Sequence, residues 1–384
     1  MLDPRHRAWC PRCQAPVAEG RPLALRWLVA LAGVLLFCTL TLLAQPMLHF
    51  GLPGQTNAAT LMGGILSLAE QGQWLPSFLV FLTGAAAPTL LPLLLLYTLF
   101  GPDGYMRRQA LSALCHLREW CMLDVLLVGL CVSLVKLVGM AELQADWGLA
   151  TLVLGQLAMA GLIQGIRPAV LWQRIAPQAQ QGLAGSRACP RCHALNVPTA
   201  HGCWRCHHRL ESRPAQGKAL CWALLAASTI LLVPANVLPI SYLTAWGATT
   251  PDTIFSGVLS LVRSGYPIIA VIVFVASIVV PVGKILILSF ILLVHDKGIF
   301  KPVQLQKLYR LVAFIGRWSM LDIFVMAIMV TLIQQGLLSE FRVGPAATPF
   351  AMVVVLTMLA AGRFDTRWLW MKNERQRRQE PGHP

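Results

Sequence analysis

Long apolar runs, separated by short polar or charged stretches, set the pattern of this chain. A bilayer-spanning helix needs about 20 mostly apolar residues. Eight runs qualify, at about 23–45, 75–100, 120–140, 147–166, 219–241, 267–294, 318–338 and 347–362. The first is too long for the apolar core of a cleavable leader and follows a cysteine pair, so it reads as a retained span. Pro88 and Pro281 fall inside two of the runs, where each removes a backbone donor and is expected to kink its helix.

The pattern repeats. Shifted by 193 residues, Gly64-Ile65-Leu66-Ser67-Leu68 meets Gly257-Val258-Leu259-Ser260-Leu261. In the same register Gly72 meets Gly265, Pro46 meets Pro239, Pro88 meets Pro281, and Cys10 and Cys13 meet Cys203 and Cys206. Beyond a five-residue insertion the shift becomes 198, and Trp120-Cys121-Met122-Leu123-Asp124 meets Trp318-Ser319-Met320-Leu321-Asp322. Apolar text alone aligns leucines by chance, but not Pro, Gly, Trp, Asp and Cys together. Each half therefore reads as a cysteine knuckle followed by four spans. Four is even, so the halves share one orientation, which makes a parallel repeat about an axis near the membrane normal. The expected fold is an all-α polytopic membrane protein of eight transmembrane helices in two tandem four-helix repeats, with a small zinc ribbon between them. The boundaries are a partial knuckle at 1–22, helices at 23–180, the ribbon at 181–215, helices at 216–371 and a basic tail at 372–384.

Composition agrees. Of 384 residues, 56% are hydrophobic and only 12% charged, about half the usual charged share. So little charge cannot cover a water-facing surface of this size, which excludes a soluble enzyme and a disordered chain. The net charge of +15 has a different origin from that of a nucleic-acid binder. Leaving aside Lys136 and Lys284 within spans, 27 basic residues fall on one side of the spans and two, Arg263 and Arg342, on the other. Positive charge stays cytoplasmic. Both termini and the middle loop are thus expected in the cytoplasm of a multi-pass protein, and no nucleic-acid partner is expected.

Cys189-Pro190-Arg191-Cys192, ten residues, then Cys203-Trp204-Arg205-Cys206 makes two knuckles. Four thiolates suit a tetrahedral structural zinc, and cytosolic thiols stay reduced; a redox pair or idle thiols are the alternatives. His193, His201, His207 and His208 nearby read as solvated loop residues, and the five remaining single cysteines as packing residues. Cys10 and Cys13 correspond to the second knuckle alone. Either the first lies upstream of Met1, or this copy has lost half its ribbon.

Two copies of knuckle plus four spans, with the Gly-x-Leu-Ser-Leu motif, the mid-span proline and the Trp-x-Met-Leu-Asp motif, resemble the paraquat-inducible protein A family over nearly the whole chain. The resemblance implies residence in a bacterial inner membrane. It also implies work with a periplasmic partner built of mammalian-cell-entry (MCE) domains, which forms a lipid tunnel toward the outer membrane. The expected function is therefore to load or extract phospholipid and exchange it with that partner. A membrane scaffold or sensor with a zinc-ribbon interaction module is the alternative.

No nucleotide-binding motif is present, which directs attention to ionisable groups within spans. Lys284 lies about ten residues from the cytoplasmic end of its span, roughly 15 Å deep. Pro281 frees the Ser277 carbonyl, and Ser277 and Lys284 share a helix face. With Asp322 and Thr357 they form a candidate polar cluster for transport, against the alternative of a Lys–Asp pair that only holds helices together. Asp124 and Lys136 are secondary candidates. Asp124 and Asp322 are also suited to complementing helix dipoles, and Lys136 to reaching the membrane surface. No catalytic constellation is visible, so no enzymatic activity is expected.

Overall fold

The computed structural model describes residues 8–9, 16–18, 24–52, 55–137, 142–177, 187–189, 192, 194–210, 215–245, 248–263, 265–297, 302–333 and 339–364. A short hairpin, β1 (Ala8–Trp9) with β2 (Pro16–Ala18), flanks the first cysteine pair. The first half continues with α1 (Leu25–Ala44), β3 (Leu48–Leu52), β4 (Gln55–Ala59), α2 (Leu61–Glu70) and α3 (Trp74–Val80). A π-helical segment (Phe81–Ala86) leads into α4 (Ala87–Phe100), α5 (Tyr105–Leu117), α6 (Leu123–Leu137), β5 (Glu142–Ala145), α7 (Trp147–Gly165) and α8 (Pro168–Ile175). Between the halves lie β6 (Arg187–Ala188) and β7 (Leu195–Asn196). The second half has α9 (Ala215–Val237), β8 (Ser241–Ala245), β9 (Ala248–Asp252), α10 (Ile254–Arg263) and α11 (Pro267–Phe274). A second π segment (Val275–Val279) is followed by α12 (Val280–Lys297), α13 (Pro302–Ile315), a 3-10 turn (Gly316–Met320), α14 (Leu321–Ile333), β10 (Ser339–Val343) and α15 (Ala347–Arg363).

The protein is mostly helical. Among the described residues six helical stretches are long and apolar enough to cross a membrane: Leu25–Ala44, Trp74–Phe100, Trp147–Gly165, Lys218–Val237, Pro267–Val294 and Pro302–Thr331. Expected spans 120–140 and 347–362 appear as the shorter apolar helices α6 and α15, and 318–338 as the end of a stretch that begins at Pro302. The Gly-x-Leu-Ser-Leu motifs, expected in connections, form the apolar helices α2 and α10.

Several recurring residues acquire a physical reason. Each π segment ends two residues before a proline, Pro88 or Pro281. The proline cannot donate to the carbonyl one turn earlier, and the helix widens there into a π turn, the kind of irregularity that accompanies kinks. Gly72 and Gly265 follow the Gly-x-Leu-Ser-Leu helices with φ of 77° and 85°, values that favour glycine. Each half carries a three-stranded antiparallel sheet, with β3 between β4 and β5 and β8 between β9 and β10. Past the third strand, Gly148 and Gly344 lie against Pro46 and Pro239: a Cβ at either would come within 2.2 Å of the proline carbonyl oxygen.

The halves share a core. Helix α14 packs on α6 and on α2, while α1 pairs with α7 and α9 with α15. Phe324 of α14 is fully buried and meets Gly84 and Gly129 of the first half.

Candidate metal centre and intramembrane polar site

The ribbon is built by two tight turns. β6 and β7 pair around Cys189 and Cys192, with the Cys189 amide donating to the Ala194 carbonyl at 2.8 Å. An isolated bridge joins Gly202 to Arg209 around Cys203 and Cys206, and the His207 amide donates to the Cys203 carbonyl at 2.9 Å. His207 takes φ 56° to close this turn. All four cysteines are buried, and their sulfurs lie within 4.8 Å of one another. The Cys189–Cys206 and Cys192–Cys203 sulfurs are 3.6 and 3.5 Å apart. Tetrahedral Zn–S bonds of about 2.3 Å put sulfurs roughly 3.8 Å apart, so the cage has the size of a metal site. Hydrogen bonding from Cys192 draws the Cys189 thiol down to about 6, and bonds led by that from Cys189 lower Cys203 as well. The same shared hydrogen bonds push Cys192 and Cys206 up, so protons divide unequally over the four sulfurs, and it is the size and burial of the cage that allow it to hold a metal ion. Cys10 and Cys13 lie outside the described residues.

Sequence reasoning missed how the ribbon is mounted. Arg205, between two candidate ligands, is 5% exposed. Its Nε and Nη2 donate to the Ala176 carbonyl at 2.9 and 2.7 Å, at the end of α8. Its guanidinium lies 5.5 Å from the Trp172 ring centre and 5.8 Å from that of Trp204. Burial lowers its pKa, and the neighbouring cysteines oppose that shift. Arginine suits this position because its planar fork both donates twice and stacks. His207 adds a ring contact to Tyr105 of α5 at 5.5 Å. The ribbon thus docks on the first half through side chains that only the fold brings together.

The second candidate site lies within the helices. Lys284 on α12 is 3% exposed, and its Nζ donates to the Gly316 carbonyl at 2.9 Å. Gly316 opens the 3-10 turn before α14, so the amine reaches backbone six residues ahead of Asp322. The same turn packs against α12, α14 and α15, which brings the helices bearing Lys284, Asp322 and Thr357 to one region. Ser277 and Thr357 are buried, but each hydroxyl serves its own helix, donating to Val273 at 2.6 Å and Val354 at 2.9 Å. Asp322 and Asp124 stand in the first turns of α14 and α6, as helix-dipole partners would. The Lys136 side chain lies outside the described residues. Gly316 carried no sequence signal, because a backbone acceptor has none.

Comparison with known proteins gives consistent results. A family model described as paraquat-inducible protein A matches residues 24–176 and again 219–374, the helical parts on either side of the ribbon. The chain is 37% identical over 381 residues to lipophilic envelope-spanning tunnel protein A of Escherichia coli K12, covering 97% of this chain and 88% of that protein. It is 32% identical over 389 residues to a probable intermembrane transport protein of Haemophilus influenzae, covering 98% and 94%. It is 30% identical over 394 residues to intermembrane transport protein PqiA of Escherichia coli K12, covering 99% and 94%. No solved structure matches. With a match on both helical halves and these identities along nearly its whole length, the chain belongs to the paraquat-inducible protein A family.

Proposed function

We propose that this chain is the inner-membrane component of a phospholipid transport system. It loads or extracts lipid and exchanges it with a periplasmic MCE-domain tunnel protein. It crosses the membrane eight times as two parallel repeats, with both termini and a zinc-bearing ribbon in the cytoplasm. Its role is transport, not catalysis. The observation that carries the reading is Lys284: a buried amine bonded to a backbone carbonyl, inside helices that are mostly apolar. Such groups are costly in a membrane and are kept for function. A cationic head here suits a lipid phosphate, with Asp322, Ser277 and Thr357 completing the polar surroundings. The printed names of the relatives, an envelope-spanning tunnel protein and intermembrane transport proteins, point the same way.

The test is lipid transfer by purified protein in proteoliposomes together with its partner. Lys284→Ala should lower transfer at least tenfold, with expression and zinc content near normal, whereas Lys136→Ala should do much less. Lys284→Met, which keeps the volume, serves if the alanine variant fails to accumulate. Full transfer by either Lys284 variant overturns the site. One observation favours the scaffold reading: Leu195, Val197 and Trp204 are exposed on the ribbon. Under that reading, cutting away the ribbon abolishes function in cells while Lys284→Ala leaves it intact.

A further inference from the structure

A repeated chain offers two equivalent contacts between its halves, and here the two sides differ. Helix α2 of the first half lies on α14, and α3 lies on both α14 and α15. The α2–α3 hairpin therefore fills the space between α14 and α15. On the other side α6 and α7 pack directly together, and α10 packs chiefly on its neighbours α11 and β9. Glycines record the difference. A Cβ on Gly64 would lie 2.7 Å from the Ala327 carbonyl oxygen and 2.8 Å from Thr331 Oγ1. A Cβ on its repeat counterpart, Gly257, would meet nothing within 4 Å.

The inserted hairpin is built as a unit. Ser77 Oγ donates to the Ile65 carbonyl at 2.7 Å, tying α3 to α2. At the strand end it holds the second half through two amide oxygens: Gln71 Oε1 accepts from the Val343 amide at 2.7 Å, and Gln73 Oε1 accepts from Thr348 Oγ1 at 2.7 Å. The repeat counterparts, Ser264 and Tyr266, carry no amide side chain. A shallow, partly open crevice bounded by Thr60, Gly64, Phe324, Ala327 and Thr331 lies between α2, α6 and α14. The inner end of α3 runs into the π segment Phe81–Ala86, an irregularity at which helices bend. The helices flanking the filled space bury apolar side chains, among them Ile328, Phe350 and Ala351, and α15 continues from Thr348 to Thr357.

We infer that the α2–α3 hairpin is a lateral gate. It swings on the π segment at 81–86, leaves the slot between α14 and α15, and opens that slot to a phospholipid acyl chain whose head group goes on to Lys284. The inference rests on the transport reading for its ligand, but not for the motion. The glutamines latch the closed state.

The motion is tested with spin labels at Gln73→Cys and Thr348→Cys in full-length protein, with Cys10, Cys13, Cys115 and Cys131 replaced by alanine. In nanodiscs of phosphatidylethanolamine and phosphatidylglycerol, a short separation should coexist with a second, longer one. Adding Gln71→Ala or Gly64→Ala should at least double the longer population. A single short separation in every variant overturns the gate, whether or not the protein moves lipid. Bridging the two cysteines with a bifunctional methanethiosulfonate should then lower lipid transfer at least tenfold, and reductant should restore it. Unchanged transfer by the bridged protein also overturns the gate. Wild-type protein that moves no lipid overturns the transport reading, and the spin-label separations still decide the gate.

Discussion

Replacing Arg205 by alanine should release the ribbon from the first half without disturbing its four-cysteine cage. The guanidinium makes two hydrogen bonds to the Ala176 carbonyl and lies near two indole rings. A hydrogen bond from a charged donor contributes about 1.5–3 kcal/mol net, and two that share one acceptor count for less than twice that. Each cation–π contact adds about 0.5–2 kcal/mol. Burying the guanidinium offsets part of the total, which leaves about 3 kcal/mol for the latch. At 1.4 kcal/mol per tenfold, the ribbon should open roughly 100 times more often. Hydrogen exchange of the amides in α8 and around Arg205 reads this directly, with elemental analysis confirming unchanged metal content. Arg205→Lys keeps the charge but loses the fork and the stacking surface, and should speed exchange roughly tenfold. Unchanged exchange in Arg205→Ala would refute the latch. Loss of metal together with protection would show instead that Arg205 maintains the cage itself.

Other consequences are equally open to test. Purified protein should carry about one zinc per chain, and Cys203→Ser should remove it; a folded wild-type protein free of metal would count against the ribbon reading. Cysteines introduced at residues 57 and 145 should label from the periplasmic side, and one at 305 should not; the reverse pattern would overturn the orientation. Gly344→Ala should cost about 1–3 kcal/mol of stability, because its Cβ would fall 2.2 Å from the Pro239 carbonyl oxygen. Gly257→Ala, with nothing within 4 Å, should be neutral or stabilising by up to about 1 kcal/mol. Equal thermal shifts for these two variants would contradict the packing described.

Features that depend on neighbours in sequence were legible from sequence alone. Apolar runs mark the membrane helices because each helix satisfies its own backbone. The four ribbon cysteines declare themselves because two short turns set most of their spacing. Pro88 and Pro281 act on the carbonyl one turn earlier, so a backbone disturbance follows wherever they fall, although its form as a π segment does not. The insertion of α2 and α10 as apolar helices was not legible, since ten residues are too few to announce a span and too apolar to look like a loop. The binding partners of single groups were not legible either. Lys284 meets a backbone carbonyl at Gly316, and Arg205 meets one at Ala176, and any residue carries a carbonyl. Nor does a repeated sequence reveal that its halves pack unequally. Gly64 and Gly257 occupy the same place in the repeat, yet one is pressed against Ala327 and the other is open. Local motifs recur in both halves because each acts on its own stretch of chain. The tertiary structure decides which of two competing helix contacts forms, because the first-half hairpin occupies the space between α14 and α15 while α6 and α7 close on each other.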